Sequence, residues 1–324
     1  MDRIKWQDTK NLTELITYIS GVPAPSFRSL NEAPSEVKAT WAQTNETVKI
    51  LEVDIVVDPV LLMVNSIQNV ETANAEAVVK SIGYFVNQML VLGDSSTDIE
   101  QPDGLLRRLR SDARFSGQTV NATSDTTKLD ITPTTGVDSE RWKYLAKLDE
   151  LIGVMGGVNG GESVQGLNFL CSAQLERGNW DMVRRLRAFD TTKDQFDRTY
   201  STHRSIPFID PGFKPANAVL GTFDSAGATS GAQIISNDGD GAGTSEVVIS
   251  GNGANNYSTS TSLYCVKFDG DFFSGLQLAP LKVRHLGESV DNPHKSKVNI
   301  RWPFGFAALQ KRSMARLVGL DVSD

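Results

Sequence analysis

The chain has 324 residues, of which 40% are hydrophobic and 22% are charged, and these values are ordinary for a globular protein of one large or two intertwined domains. A net charge of -7 argues against a protein whose main task is to neutralise phosphates, because nucleic-acid-binding surfaces are usually basic. The longest apolar run, Val60 to Val64, is far shorter than the roughly 20 residues that cross a bilayer, so we expect no membrane partner.

The first 35 residues contain one short apolar segment, Asn11 to Ser20. Its leucines and isoleucines recur at helical spacing, which predicts a short amphipathic helix. Prolines and a glycine between Gly21 and Pro34 then predict an extended connection, so this part of the chain reads as an arm.

The next segment, Glu46 to Asp58, interleaves charged and apolar residues as a strand does, with a change of phase at Ile50 and Leu51. That change predicts a bulge or a switch of the exposed face. The segment fits an edge strand of the core sheet, which we favour. It also fits one half of a two-stranded flap that needs a partner, since an isolated hairpin is marginal in water.

A long helix is predicted from Pro59 to Leu92, with a proline at its start and Gly93 at its end. An apolar residue recurs every three to five positions along it, and at this length the helix would approach about 50 Å. The alternative is two helices broken near Asn65 to Asn69.

Beyond residue 137 the patterns predict helices in SERWKYLAKLDELIGVMGG and ERGNWDMVRRLRAFD, and strands in GLNFLCSAQ, RSIPFIDPG, EVVISG and SLYCVKFDG. Helices and strands do not alternate regularly, so the predicted fold class is α+β.

The C-terminal segment, Val298 to Leu320, predicts a long strand, a bend or bulge at Pro303 and Gly305 where one sheet passes to another, and a last strand. Met314, Leu317 and Leu320 are expected in the core. The remaining cations there are expected at a surface or against a neighbour: Lys311, Arg312 and Arg316.

The sequence contains no recognisable catalytic motif. His203, His285 and His294 have no metal-ligand spacing, and we expect each to be structural or exposed. Cys171 and Cys265 lie in apolar runs and are expected to be reduced core residues. The glycine-rich Gly153 to Ser163 lacks the lysine of a phosphate loop, and Asn237 to Thr244 lacks the last ligand of a calcium loop. We therefore predict no enzyme, no cofactor and no metal.

Two arginine triplets are notable, one formed by Arg107, Arg108 and Arg110 and the other by Arg184, Arg185 and Arg187. Arginine makes bidentate contacts with carboxylates and phosphates. In an acidic protein the carboxylates of neighbouring copies are the favoured partners, with nucleic acid as the alternative.

Several stretches, in order, carry a resemblance to a known family: SLNEAP, VDPVLL, FVNQMLVLGD, GLLRRL, DQFDRTYSTHRSIPFIDPG, TSLYCVKFDGDFFSGLQ, VRHLGE and IRWPFGFAALQKRSMARLVGL. Together they cover roughly Ser29 to Leu320. In order and spacing they resemble the major capsid proteins of tailed bacteriophages, which have the Hong Kong 97 fold.

The resemblance implies an N-terminal arm at residues 1–35 and an extended loop, the E-loop, at 36–58. It implies a P-domain at 59–137 and 281–309, built on the long helix, and an A-domain at 138–280 and 310–324. Hexamers and pentamers would then tile an icosahedral shell around double-stranded DNA. Lys49, Glu52 and Asp54, together with the two arginine triplets, are the candidate intersubunit contacts.

The implied partners are further copies of the chain, a separate scaffolding protein, a portal, a decoration protein and packaged double-stranded DNA in weak contact. The implied location is the virion capsid, after synthesis and assembly in the host bacterial cytoplasm. No covalent cross-link is carried over, because Lys49 has no matching Asn or Glu.

Two other functions stay open. One is an encapsulin-like nanocompartment of the same fold around an enzyme cargo. The other is a soluble enzyme with a dispersed active site that would depend on His203 or His285. For a shell protein, deletion of Thr47 to Val57 is expected to leave a folded body that cannot assemble, and truncation after Pro303 is expected to abolish folding.

Overall fold

A computed structural model describes residues 3–21, 23–31, 33, 36–58, 70–122, 129–131, 138–156, 165–186, 190–193, 199–212, 234–235, 246–250, 253–257, 261–288 and 295–321. Within these ranges the helices are α1 Val70–Leu92, α2 Leu105–Ser111, α3 Asp138–Val154 and α4 Ala173–Leu186. Short 3-10 turns cover Ala113–Phe115 and Lys311–Ser313.

The strands in the first half of the chain are β1 Trp6–Asp8, β2 Thr13–Gly21, β3 Thr40–Thr47, β4 Lys49–Val57, β5 Thr119–Asn121, β6 Leu129–Asp130 and β7 Leu167–Leu170. Those in the second half are β8 Asp190–Lys193, β9 Thr199–His203, β10 Ile206–Ile209, β11 Glu246–Ser250, β12 Gly253–Tyr257, β13 Thr261–Lys267, β14 Phe273–Gln277, β15 Lys282–Glu288, β16 Ser296–Ala308 and β17 Met314–Asp321. Helices and strands are both present without regular alternation, which confirms the α+β class.

The first large sheet is built around the long strand β16. Strands β14 and β15 pair with successive parts of one edge of β16, β1 pairs with β14, and β4 pairs with the other edge. Val298, Ile300 and Trp302 face the core, as their alternation with Asn299 and Arg301 predicts. From Pro303 onward every residue of β16 is buried, because this part of the strand is covered on both faces.

Helix α1 packs its apolar side on this sheet, with Ile82, Val86 and Met89 in the same core as Val298 and Ile300. The prediction of a long helix is confirmed over Val70–Leu92, which spans about 35 Å at 1.5 Å per residue. The predicted start at Pro59 and the alternative break near Asn65 to Asn69 lie outside the described residues.

The second large sheet has the order β5-β17-β13-β7-β10-β9-β8, with β6 also paired to β17. Helices α3 and α4 contribute to its core, which contains Leu148, Ile152 and Leu175. Strand β13 is buried along its whole length because its two faces contact different cores. Cys265 faces the core of the second sheet, whereas Tyr264 faces the core of the first.

The prediction of a helix from Asn11 to Ser20 is wrong. This segment forms β2, which pairs with β3 in antiparallel register from Thr13 opposite Thr47 to Gly21 opposite Thr40. The prediction of an edge strand for β4 is confirmed, since it pairs with β16 from Lys49 to Val57. Its register shows no bulge at Ile50, which is exposed together with Val56 on the same face as Glu52 and Asp54.

The predicted bend at Pro303 is corrected. Strand β16 continues through it, and what changes there is the partner, from β15, which pairs as far as Arg301, to β14, which pairs from Phe304. The Pro303 carbonyl accepts a hydrogen bond from the Leu278 amide at 3.3 Å. Proline has no amide hydrogen, and a position between two partner strands is one that does not require it.

The last strand, β17, lies in the second sheet, and Met314, Leu317 and Leu320 are buried as predicted. Lys311 is exposed as expected. Arg316 is a correction: its side chain is buried, with the guanidinium 6.0 Å from the ring centre of Tyr264.

Sheet membership bears on the four-part division of the chain, which stays a prediction. Strand β14 falls in the segment assigned to the A-domain but pairs in the first sheet, and β5 falls in the segment assigned to the P-domain but pairs in the second. Strands β2 and β3 lie on opposite sides of the boundary at residues 35 and 36, yet they pair with each other.

Candidate intersubunit surfaces

The arm hairpin, which we define as residues 13–47, contains a two-stranded sheet of β2 and β3 that places apolar side chains on both faces. On its outer face Leu15, Ile19 and Trp41 are 57%, 52% and 62% exposed. On its inner face Ile16 is buried against a small cluster with Val48 and Ala307. The outer face thus presents large apolar side chains that the rest of the chain does not cover.

The tip of the hairpin, residues 20–40, has no buried residue in its described part. Phe27, Leu30 and Val37 are exposed there. Exposed large apolar side chains that lie together mark interaction surfaces, and Ile19 and Trp41 are directly paired neighbours on the outer face. A two-stranded hairpin is also marginal by itself, so this surface indicates a partner.

The base of the hairpin is attached to the body by a buried ion pair. The Arg108 guanidinium donates to both carboxylate oxygens of Glu46 at 2.7 Å, and it also donates to the Phe306 carbonyl at 3.0 Å. Arg114 donates to Glu46 at 3.2 Å. Two cations from the α2 region therefore hold one carboxylate of β3, which fixes where the hairpin leaves the body.

Arg114 has further contacts that order this base. It donates to the Asp112 carboxylate at 2.7 Å and to the Ala308 carbonyl at 3.1 Å, and its guanidinium lies 5.7 Å from the ring centre of Tyr18. Burial tends to raise the pKa of Asp112, but the hydrogen bonds and positive charge of Arg114 outweigh burial and lower it. Asp112 is therefore a carboxylate in the folded chain.

The first arginine triplet is divided by these contacts. Arg108 is only 4% exposed and bound within its own chain, so the structure removes it from the candidate intersubunit contacts. Arg107 donates to Ser111 and pairs with Asp94 at 3.2 Å. Arg110 is exposed. A role for Arg107 and Arg110 at a neighbouring copy stays a prediction.

The candidates on β4 lie on the exposed face or at the end of the strand and have contacts within the chain. Asp54 accepts from Lys297 and from the Asn299 amide at 2.6 Å, and these hydrogen bonds lower its pKa. Glu52 accepts from the same Asn299 amide at 2.7 Å. Lys49 donates to the Ile99 carbonyl at 2.6 Å. All three remain candidates because their side chains are at least partly accessible.

The second triplet lies at the end of α4. Arg184 is exposed, and Arg185 is exposed beside Asp181, to which its Nε donates at 3.0 Å. Arg187 lies outside the described residues. Arg184 and Arg185 lie on a helix that packs in the core of the second sheet, whereas Glu52 and Asp54 lie on a strand of the first, so a single surface formed by all the candidates stays a prediction.

The described residues hold little that resembles a catalytic arrangement. The His203 ring contacts one oxygen of the Asp149 carboxylate at 2.8 Å, and Arg204 donates to the other oxygen at 2.7 Å. Two neighbouring residues at the end of β9 thus hold one carboxylate of α3. His294 lies outside the described ranges. Cys171 and Cys265 are free and buried, and burial raises the pKa of both thiols, which keeps them unreactive.

No group of three or more His, Cys, Asp or Glu side chains suited to a metal ion occurs among the residues described. Gly156, two residues after the end of α3, has a positive φ of 78°, which is common where a helix ends, and residues 157–164 lie outside the described ranges. The acidic segment from Asn237 to Thr244 lies outside them as well. None of the helices in the described part of the chain has the length and apolar character needed to cross a membrane.

Comparison with solved structures identifies the fold. The chain is similar to the holo-SrpI encapsulin complex from Synechococcus elongatus PCC 7942, with a TM-score of 0.59 and 15% identity over 99% of this chain and 86% of that one. It is similar to the capsid of a native GTA particle, with a TM-score of 0.56 and 11% identity over 98% and 89%. For Microbacterium phage Oxtober96 the TM-score is 0.54 and the identity 10%, over 98% and 89%.

The chain therefore has the Hong Kong 97-type fold of shell-forming proteins, in agreement with the extended hairpin and the long helix. Residues 1–132 match the family model described as Major capsid protein GP7. Comparison with curated protein sequences gives no match. The resemblance to major capsid proteins is thus confirmed by a family match in the N-terminal part and by the fold across almost the whole chain.

Proposed function

We propose that this protein is a major capsid protein that assembles as hexamers and pentamers into an icosahedral shell around double-stranded DNA. The observation that carries the proposal is the arm hairpin, which exposes apolar residues on its outer face and tip while its base is fixed by the Glu46–Arg108 pair. The family match supports it independently, because it covers residues 1–132 and therefore includes this hairpin and α1.

The physical role of each part follows from this proposal. The body, with its two cores, folds as a unit, and the arm hairpin reaches a neighbouring copy, where Leu15, Ile19 and Trp41 become buried. Each contact can be modest because each subunit makes several, and multiple contacts together give a stable shell. The four parts that the resemblance implies are kept, with an arm at 1–35, an E-loop at 36–58, a P-domain at 59–137 and 281–309 and an A-domain at 138–280 and 310–324. The pairing of β2 with β3 joins the arm to the E-loop.

Nothing in this role requires catalysis, so we propose a structural protein and not an enzyme. Its location would be the virion capsid, after assembly in the host bacterial cytoplasm. A separate scaffolding protein, a portal and a decoration protein are expected partners by family resemblance. The net charge of -7 favours weak contact with packaged DNA, because a shell that bound phosphates tightly would hinder packing and release.

A second candidate is a nanocompartment shell that encloses a protein cargo. It is favoured by the similarity to the SrpI encapsulin complex, whose TM-score of 0.59 is at least as high as those of the phage capsids compared. The fold does not separate the two functions. The phage function is preferred because the family match is to a major capsid protein.

The test is to purify the full chain at increasing concentration and follow it by sedimentation and negative-stain electron microscopy. Capsomers or closed particles are expected, and a chain that stays monomeric at high concentration would contradict the proposal. Particles recovered from the native source are then treated with nuclease and opened. Protected DNA supports the capsid, whereas one abundant protein cargo without DNA supports the nanocompartment.

A further inference from the structure

Strand β15 is an edge strand that the rest of the chain leaves largely uncovered. It pairs with β16 on one side and has no second partner strand among the described residues. Lys282 and Arg284 are exposed, and within the described ranges neither makes a hydrogen bond or an ion pair. Leu286 is 54% exposed on the same strand. We call Lys282, Val283, Arg284 and Leu286 the basic edge.

The outer face of this sheet carries a gradient of charge. Residues that pair across antiparallel strands share a face, so Lys282, Arg301 and Glu52 form one row across β15, β16 and β4. Arg284, Asn299 and Asp54 form the next row. Each row begins with an unpaired cation on β15 and ends with a carboxylate on β4.

The opposite flank of the sheet carries more negative charge. Residues 94–103, which we call the acidic loop, contain four carboxylates and no Lys or Arg. The loop lies beside β4, because the Lys49 ammonium donates to the Ile99 carbonyl at 2.6 Å. Ile99 is 77% exposed, and Asp98 and Glu100 are exposed without a cationic partner in the described part of the chain.

We propose that the basic edge of one copy contacts the acidic loop of the next copy around a capsomer. The two surfaces are complementary, since each places exposed unpaired charges of one sign next to exposed apolar side chains. They also lie on opposite flanks of one sheet, so the contact is head to tail, and such contacts close into rings when the rotation allows it. This inference rests on the proposed function, which supplies the ring.

Charged residues on an edge strand have another established use, which is to prevent unwanted pairing with other strands. That use requires only a charge and is indifferent to its sign. The proposed contact requires a positive charge on β15 and a negative charge on the acidic loop. Reversal of sign therefore separates the two explanations.

The experiment uses the full chain and four variants: Arg284→Glu, Glu100→Arg, the double variant, and Lys143→Glu as a control with the same charge change as Arg284→Glu. Lys143 is exposed on α3, away from both surfaces. Neither the Arg284 nor the Glu100 side chain makes a hydrogen bond or an ion pair within the described ranges, so the unfolding midpoints of all variants should equal that of the wild type. Assembly is followed by light scattering and sedimentation against protein concentration.

Each single reversal should raise the protein concentration needed for assembly roughly tenfold or more, because like charges then meet in every contact of the ring. The double variant should restore assembly to near the wild-type concentration. The defects of the singles should shrink at about 1 M salt, where the screening length falls to about 3 Å. The control should assemble as the wild type does.

Singles that assemble normally, or a double variant no better than its worse parent, would overturn this contact and leave the proposed function intact. A double variant that recovers while the control is normal supports it. A wild-type chain that stays monomeric at every concentration overturns the proposed function, and this contact with it.

Discussion

The body and the arm hairpin differ in how far their apolar side chains are buried. In the body, β13 and β17 are buried nearly throughout because each lies in a central sheet between packed layers. In the hairpin, β2 and β3 bury one face and leave Leu15, Ile19 and Trp41 on the other. Folding of a single chain accounts for the body, whereas the hairpin is complete only when another molecule covers it.

The largest effect is expected when residues 304–324 are removed, because the body should then fail to fold. This truncation deletes the part of β16 that pairs with β14, and the whole of β17, which pairs with β5, β6 and β13. Both cores lose a strand, so we expect no cooperative unfolding transition in urea. A control that ends at Asp321 keeps both strands and should fold. A cooperative transition in the shorter chain would contradict the assignment of these strands to the body.

The second-largest effect is expected when the ion pair between Glu46 of the hairpin and Arg108 of the body is removed. Glu46→Ala leaves the guanidinium of Arg108 buried without its carboxylate, and loss of one partner of a buried pair costs about 3–5 kcal/mol. Urea denaturation of freshly purified, unassembled chain measures this loss. The control Glu36→Ala, at an exposed site in the hairpin, should change the free energy of unfolding by less than about 0.5 kcal/mol.

A double variant, Glu46→Met with Arg108→Met, tests the reason for the loss. It removes both charges, so it should recover part of the stability lost in Glu46→Ala. If Glu46→Ala is no less stable than the wild type, the ion pair does not hold the hairpin to the body.

A smaller effect is expected where the two regions approach most closely. A Cβ atom on Gly305 would lie 2.5 Å from the Thr47 carbonyl and 3.2 Å from the Val48 Cα, at the junction of β3 and β4. Gly305→Ala should therefore cost about 1–3 kcal/mol through overpacking. Gly83→Ala is the matched control, because its Cβ meets nothing within 4 Å on α1 and should stabilise the helix by about 0.5–1 kcal/mol. Equal effects of the two changes would refute the close approach.

The smallest expected effect is a pH dependence of the stability of the body. Burial raises the pKa of Asp210 and of Glu176, and Asp210 raises that of Glu176 further. The folded state then binds protons more tightly than the unfolded state, so this contribution makes the body more stable as pH falls below neutral toward the ordinary carboxylate pKa. Asp210→Asn should be more stable than wild type at neutral pH and show a weaker pH dependence in urea titrations. The explanation would be contradicted if the free energies of unfolding of the wild type and of Asp210→Asn changed by the same amount as the pH is lowered from neutral.

The sequence was sufficient to predict the body in outline. Strand β16 shows period-two alternation at Val298, Ile300 and Trp302, and α1 shows a continuous apolar stripe, so in both cases one buried face leaves its period in the sequence. The order of elements then supported the shell-protein resemblance. Alternating patterns of this kind depend on burial within the same chain.

The hairpin was predicted wrongly for a physical reason. In β2 the even positions, including Ile16, face the body, and the odd positions Leu15 and Ile19 face outward but are also apolar. Because Leu15, Ile16 and Ile19 are apolar although they lie on two faces of the strand, they are one, three and four positions apart. These are the spacings expected along one side of a helix. The β-branched and aromatic residues of TELITYIS were the signal that favoured a strand.

The contacts of the hairpin base and of Arg108 could not be predicted from spacing. Glu46 and Arg108 are 62 positions apart, and the arginine triplet gives no sign that its middle member turns inward while Arg110 stays exposed. Exposed Arg110 and buried Arg108 differ in which residues the tertiary fold brings near them. The expectation that deletion of Thr47 to Val57 leaves a folded body is corrected by the tertiary fold. This deletion removes β4 from the first sheet and would therefore damage the body.

The most direct test of the account separates folding from assembly within one molecule. Residues 20–40 are replaced by Asn-Gly, which joins Ile19 to Trp41 across a two-residue turn and keeps the base with Glu46. The urea unfolding midpoint and the sedimentation of the same preparation are then measured beside the wild type. The account predicts an unchanged midpoint and loss of capsomers and shells. Normal shells from the shortened chain, or a body that no longer unfolds cooperatively, would contradict it.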